Sequence, residues 1–349
     1  MIAIRVDANE YIASGHVMRC LSIADALFSL GEDVVFITAD DNAKQIIDKR
    51  GFNTVILNSD WSDKEGELDL LITEIEKLKP GLLLIDSYQV TERYLTELHR
   101  KVKTAYIDDL NAFDYPTDIV INYSIYAGEL NYPKNKLYLL GTSYTPLRAQ
   151  FNISEHQYEE AAQKRKNHKQ ILITTGAADP HHVSEKVIAA ILNEHALNEY
   201  DLAVIEGGFW DKVQFNAFIE DSINHERSNR IEAYSNIENM ADLMINSTLA
   251  VSAGGSTLYE LCACRVPTVT FSYADNQLGN VKGFAKRDIM PYAGDARVNS
   301  SIGADIVQNL LKFHKNFDIM VSVRERMLNL GCRNGAMNLA EALLSYIRK

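Results

Sequence analysis

Short runs of β-branched and aliphatic residues alternate along this chain with longer stretches in which apolar residues recur every three or four positions. The runs IAIRV (2–6), DVVFITA (33–39), TVILN (54–58), LLLID (82–86), TAYIDD (104–109), DIVINY (118–123) and LYLLG (137–141) are mostly continuous, the pattern of strands covered on both faces. Helical stretches lie between them. Val17, Leu21, Ala24 and Phe28 fall at spacings of four, three and four and predict one apolar helix face, closed by Gly31. A second series follows, QILITTG (170–176), DLAVIEG (201–207), RIEAY (230–234), TLAVSAG (248–254) and PTVTFSY (267–273), separated by helical stretches such as VSEKVIAAILNE and NIENMADLMIN. From about residue 303 the pattern is helical to the end.

The expected class is therefore α/β, with two Rossmann-like, doubly wound parallel-sheet domains facing a cleft and ligands bound beyond the carboxyl ends of the strands. Polar residues 151–169 read as an inter-domain linker, so the division is 1–150, the linker, 170–335 and a C-terminal helix over 336–349.

Composition narrows the partners. The 349 residues are 46% hydrophobic and 23% charged, which suits a globular protein of about two domains. With 35 basic against 47 acidic residues and a net charge of -12, neither nucleic acid nor an anionic membrane surface is expected as the main partner. A small anionic substrate remains compatible, because backbone amides and one or two arginines bind phosphate inside an acidic protein. Cys20, Cys262, Cys264 and Cys332 are too sparse for a disulfide framework, and two cysteines two apart on a helix do not grip one metal, so no metal site is expected. No signal peptide or run of about 18 apolar residues is visible, so the chain reads as cytoplasmic and not inserted in a membrane.

The chemistry concentrates at strand-to-helix turns. LAVSAGGSTLYELCACRVP reads as a strand, a Gly-Gly turn and a helix: Gly254 and Gly255 admit a ligand to the backbone, and Ser256, Thr257 and the first helical amides are donors suited to phosphate. Glu260 lies one turn on, placed to accept from ribose hydroxyls. Thr257 with Glu260 equally has the spacing of a capping box. In the first domain the turn after the first strand carries Gly15 and His16. A histidine at a helix N-terminus has its cation disfavoured by the dipole and suits a general base; capping the helix or bonding a carbonyl is the plainer alternative. Asp7, Asp86 and Asp108 end the first, fourth and fifth strands, each able to orient His16, to hold sugar hydroxyls or merely to bond loop amides. The adjacent Asp108 and Asp109 face opposite ways in strand geometry, which weakens them as a chelate. No P-loop and no Asp-x-Asp triplet occurs.

Taken in order, RVDANEYIASGHVMRCLSIA, LLIDSYQV, YIDD, VINYSIYA, LGTSYTPLRAQF, TTGAADP and VSAGGSTLYELCACRVPTVTFSYADNQ resemble the blocks of the UDP-sugar hydrolases of the pseudaminic acid pathway, over about residues 1–285. Those enzymes remove UDP from UDP-2,4-diacetamido-2,4,6-trideoxy-β-L-altropyranose and share the GT-B fold of MurG-like glycosyltransferases. The resemblance implies a GT-B fold, no cofactor, a UDP-sugar and water as partners, and His16 as the base. It places Gly15, Arg19 and Arg148, with Asn276 and Gln277 of the DNQ block, at the substrate beside Asp7 and Asp86, and Gly176, Gly254, Gly255, Ser256, Thr257 and Glu260 at UDP. Two departures stand out: ASGH has Ala13 where the family has glycine, and GAAD has Ala177 likewise. The alternatives are a GT-B glycosyltransferase with a hydroxyl acceptor in place of water, and a non-catalytic nucleotide-sugar-binding protein.

Overall fold

Residues Ile2–Val6 form β1, a strand with no exposed position, in the interior of the first sheet. In this computed structural model, which describes residues 1–9, 12, 15–223 and 230–349, β1 is followed by β2 (Val34–Thr38), β3 (Asn53–Ile56), β4 (Leu82–Asp86), β5 (Thr104–Ile107), β6 (Ile119–Asn122) and β7 (Leu137–Leu140). The sheet order is β3-β2-β1-β4-β5-β6-β7, every pairing parallel. The chain thus winds outward from β1 one way, then crosses over and winds the other way from β4. Beyond the carboxyl ends of β1 and β4, where the winding reverses, such a sheet opens a crevice. Val6 pairs with Asp86, so the last residues of these two strands lie side by side.

Alternation along β1 divides the core. Ile2, Ile4 and Val6 face a cluster with Val17, Leu21, Ala24 and Leu27 of α1 (Gly15–Ser29), while Ala3 faces Leu71 and Ile75 and the ring of Tyr94. Those last side chains belong to α3 (Lys64–Leu78) and α4 (Glu92–His99), which follow the short α2 (Lys44–Asp48). Asp63 caps α3 by accepting from the Gly66 amide at 2.9 Å, and Lys79 in the left-handed region ends it before Pro80. Phe28, expected on the apolar face of α1, is 65% exposed; at the last turn of the helix its ring meets that of Phe52 edge-on.

The second sheet contains β8 (Lys169–Thr174), β9 (Tyr200–Ile205), β10 (Ile231–Tyr234), β11 (Leu249–Ala253), β12 (Thr268–Ser272) and β13 (Tyr292–Asp295), in the order β10-β9-β8-β11-β12-β13 and again parallel. Its winding reverses between β8 and β11. The strand β13 is absent from the sequence reading: YAGD is a half-buried edge strand interrupted by Gly294, with too few apolar residues to signal itself. Its helices are α5 (Glu155–Asn167), α6 (Val183–Leu192), α7 (Lys212–Ile223), α8 (Met240–Asn246), α9 (Thr257–Ala263), α10 (Leu278–Lys286), α11 (Ile302–Lys315) and α12 (Phe317–Asn329), and α13 (Gly335–Ile347) closes the chain.

The chain divides into two compact units, Met1–Ala149 with Asn334–Lys349, and Gln150–Arg333. The stretch read as a linker contains α5, opened by a capping box of Ser154 with Gln157 and anchored in the second unit by buried Tyr158 and Ala161. Helix α13 belongs to the first unit, because Leu339, Leu343 and Leu344 bury against the α1 side of the first core, each contributing roughly 1.5–3 kcal/mol. All four cysteines are free and buried. Among the described residues no helix is long and apolar enough to cross a membrane.

Candidate active site

The winding reversal of the first sheet sets a histidine beside an aspartate. His16 is the second residue of α1, which starts beyond β1, and Asp86 is the last residue of β4. The imidazole Nδ1 lies 2.7 Å from Asp86 Oδ1; the His16 side chain is 12% exposed and that of Asp86 fully buried. A buried carboxylate accepting from Nδ1–H holds the imidazole in the tautomer whose Nε2 carries the lone pair. Among the described residues no hydrogen-bond partner meets Nε2, so the acceptor nitrogen is the unoccupied one.

Burial alone would raise the Asp86 carboxyl, but Arg19 and His16 outweigh it and hold the group well below the usual carboxylate range. Arg19 takes both oxygens, Nε to Oδ2 at 2.6 Å and Nη2 to Oδ1 at 2.5 Å, and Cys20 Sγ adds a weak contact to Oδ2 at 3.4 Å. Arg19 Nη1 also donates to Asp109 Oδ2 at 2.8 Å and to the Tyr123 hydroxyl at 2.7 Å. Tyr88 donates to Asp109 Oδ2 at 2.8 Å and presents its ring to His16, centroids 4.6 Å apart at 81°. Gly15 opens α1 with open space where a side chain would be.

Asp7, expected at the substrate, is engaged by its own buried neighbours. It is 4% exposed, and Oδ1 accepts from Arg5 at 2.6 Å and the Ala39 amide at 2.7 Å while Oδ2 accepts from Lys64 at 2.9 Å. With Glu67 this makes a buried cluster of two cations and two anions between β1 and α3, whose charges cancel and whose polar atoms pair with one another. Asp108 likewise serves its own loop, accepting from the Leu110 and Asn111 amides at 2.8 Å and from the Tyr115 and Tyr132 hydroxyls. Asp108 and Asp109 do turn to separate partners.

In the second sheet the turn between β11 and α9 occupies the corresponding position. Its two glycines do different work. A Cβ on Gly254 would lie 2.6 Å from Val281 Cγ1 and 3.0 Å from the Gln277 carbonyl, so this glycine admits the protein's own chain; at Gly255 the space is open. Ser256 is the N-cap of α9 but its side chain makes no capping bond, so the capping-box alternative for Thr257 and Glu260 does not form. Among the described residues the Ser256 and Thr257 amides and hydroxyls have no acceptor, which leaves four donors together at this turn. Glu260 is half-buried and already bonded.

Gly176, just past β8, has φ +90, a conformation side chains rarely adopt, and the Tyr273 hydroxyl would sit 3.2 Å from a Cβ there. Asp179 of the same loop caps α6, accepting from the Val183 and Ser184 amides at 2.8 Å. Ala177 is exposed, its carbonyl accepting from the Phe209 amide at 3.0 Å. Gln277 is 8% exposed and accepts from the Tyr273 amide at 2.9 Å, so it closes its own loop; Asn276 beside it is exposed. Arg148 is half-buried near the end of the first unit and already bonded. Ala13 falls outside the described residues.

Solved structures identify the architecture. MurG of Acinetobacter baumannii superposes with a TM-score of 0.69 at 14% identity, covering 99% of this chain and 98% of that one. A glycosyltransferase from Rickettsia africae gives 0.66 at 14% identity over 99% and 97%, and the spinosyn rhamnosyltransferase SpnG gives 0.68 at 12% over the whole of both chains. The chain has the GT-B fold. At such identities the likeness concerns fold alone. No protein-family profile matches the chain. In sequence it is 30% identical over 288 residues to the uncharacterized protein MJ1062 of Methanocaldococcus jannaschii, covering 77% of this chain and 54% of that protein. The chain thus spans about half the length of that relative. It is 24% identical over 296 residues to the spore coat polysaccharide biosynthesis protein SpsG of Bacillus subtilis, over 81% of this chain and 80% of that protein.

Around the candidate site, Tyr88 and Tyr123 are residues that the sequence does not single out, and Asp109 is weighed there only as a chelate with Asp108. Their signal lies in position: each stands just beyond β4, β5 or β6, on the rim where a parallel sheet presents its loops.

Proposed function

We propose that this protein hydrolyses a UDP-sugar at the anomeric carbon, with His16 as general base. The observation that carries the reading is the 2.7 Å contact of His16 Nδ1 with buried Asp86, which leaves Nε2 to take a proton. Nε2 removes a proton from water, the water oxygen bonds to the anomeric carbon, and the bond from that carbon to the diphosphate oxygen breaks. UDP leaves with the bonding pair, and the sugar leaves as a free hemiacetal. In the second unit, the four donors of Ser256 and Thr257 that meet no acceptor among the described residues suit the diphosphate of a bound UDP. The resemblance in sequence to the pseudaminic acid pathway hydrolases supports a 2,4-diacetamido-2,4,6-trideoxy-L-altrose as the sugar, in nonulosonic acid biosynthesis.

A second reading, transfer of the sugar to a hydroxyl acceptor, is favoured by the shared fold, because the solved structures it resembles are glycosyltransferases. The same base would then act on the acceptor hydroxyl. Purified protein given the UDP-sugar in oxygen-18 water separates them. Hydrolysis releases UDP without acceptor and labels the sugar; no release until an acceptor is added establishes transfer, and label in UDP places the attack at phosphorus. Replacing His16 by Asn is expected to lower kcat by ~100- to 10,000-fold.

A further inference from the structure

The contacts that leave His16 through Asp86 return to it. Asp86 binds Arg19 through both oxygens, Arg19 binds Asp109, Asp109 accepts from the Tyr88 hydroxyl, and the Tyr88 ring closes on the imidazole edge-on. We propose that Arg19 and Asp109 are a positioning pair for His16, and that Arg19 is not a ligand of the substrate. This rests on the reading of His16 as the base.

The guanidinium has five N–H donors in a rigid fork, and four contacts are already made: two to Asp86, one to Asp109 and one to the Tyr123 hydroxyl. Its side chain is 12% exposed, so bringing it to a substrate would strip two carboxylates of a cation they share. Each arm of the ring restrains a different motion of the imidazole. The carboxylate bond sets the tautomer and the direction of Nδ1; the Tyr88 ring sets the tilt of the imidazole plane. Arg19 joins the arms, because its Nη1 holds the same Asp109 oxygen that receives the Tyr88 hydroxyl. A base displaced by fractions of an ångström loses rate without losing substrate affinity.

The test uses the full-length protein with Asp109→Asn, Arg19→Lys and Tyr88→Phe, the last keeping the ring and removing only its bond to Asp109. Asp109 is partly exposed, so its amide variant probes the pair with the Arg19–Asp86 bonds intact. Expected is a fall in kcat of about 10- to 100-fold for Asp109→Asn, with KM within twofold. In nitrogen-15 histidine spectra, assigned by the signal lost in His16→Asn, the wild type shows His16 protonated on Nδ1 and the variants show mixed tautomers. A raised KM at unchanged kcat for Arg19→Lys makes Arg19 a substrate ligand and overturns the proposal. So does wild-type kcat with a wild-type His16 spectrum in all three variants. If wild-type protein turns over no UDP-sugar, the functional reading fails, and the spectra still decide whether the pair positions His16.

Discussion

Asp86→Asn tests the site at its most constrained atom. Asp86 Oδ1 accepts from both His16 Nδ1 and Arg19 Nη2, and Oδ2 accepts from Arg19 Nε and Cys20 Sγ. An asparagine has one acceptor oxygen and one amide nitrogen for these two positions. With the oxygen toward His16, the amide hydrogens face the Arg19 Nε–H. With the amide turned over, its hydrogens face His16 Nδ1, which then becomes the acceptor and leaves the proton on Nε2, where a base is useless. Either arrangement sets donors against each other in a buried place and removes half the counter-charge of Arg19. Breaking a buried pair typically destabilises by ~3–5 kcal/mol, and Arg19 retains Asp109 and Tyr123, which points to the lower end, about 3 kcal/mol. For a unit of this size that lowers Tm by roughly 6–12 °C. Loss of the correct tautomer is expected to lower kcat by about 100- to 10,000-fold. The assay is UDP release under saturating UDP-sugar at a temperature well below the variant's melting point, with UDP binding followed separately by calorimetry. UDP binding should be retained. A folded variant whose kcat stays within threefold of wild type would refute the assignment of Asp86 as the residue that orients the base.

Gly254→Ala should destabilise by about 1–3 kcal/mol in thermal or urea unfolding, because its methyl group would meet Val281 and the Gln277 carbonyl, whereas Gly255→Ala, in open space, should leave stability unchanged and weaken UDP binding. Glu67→Gln leaves Arg5 and Lys64 with too little negative charge in a buried place and should cost about 3–5 kcal/mol by urea denaturation without altering KM. Asp7 and Asp86 are both held below the ordinary value of 3.8 by their cations, against the effect of burial. A depressed carboxyl contributes stability that is fully present above its unfolded value and is lost as pH falls through the folded one. Unfolding free energy should therefore be level from pH 7 to about 5 and fall below that, and the fall should be shallower in Asp86→Asn; equal slopes would remove Asp86 from the acid transition.

The interaction of local pattern with tertiary pairing explains which features were legible. Continuous apolar runs are read from neighbours in sequence, so the strands of both sheets, other than β13, and the parallel class were visible in the chain itself. The place of His16 at a helix mouth was half visible: the residue type and the turn could be read, while which strand-end carboxylate meets it, Asp86 of β4, 70 residues away, was set by the fold. Asp7 and Asp86 look alike in sequence, each acidic at a strand end. They diverge because side chains alternate across the sheet and different helices cover its two faces, so Asp7 meets Arg5 and Lys64 and Asp86 meets His16 and Arg19. Gly254 and Gly255 are likewise one doublet in sequence, and only the packing of Val281 separates a glycine required by the protein from one open to a ligand. The sequence by itself determined the elements, the two-sheet class and a short set of polar residues at strand ends. The tertiary structure alone decided which of those residues face one another, because hydrogen bonds and ion pairs act over about 3 Å, and partners at that distance are brought together by strand order and register, not by spacing along the chain.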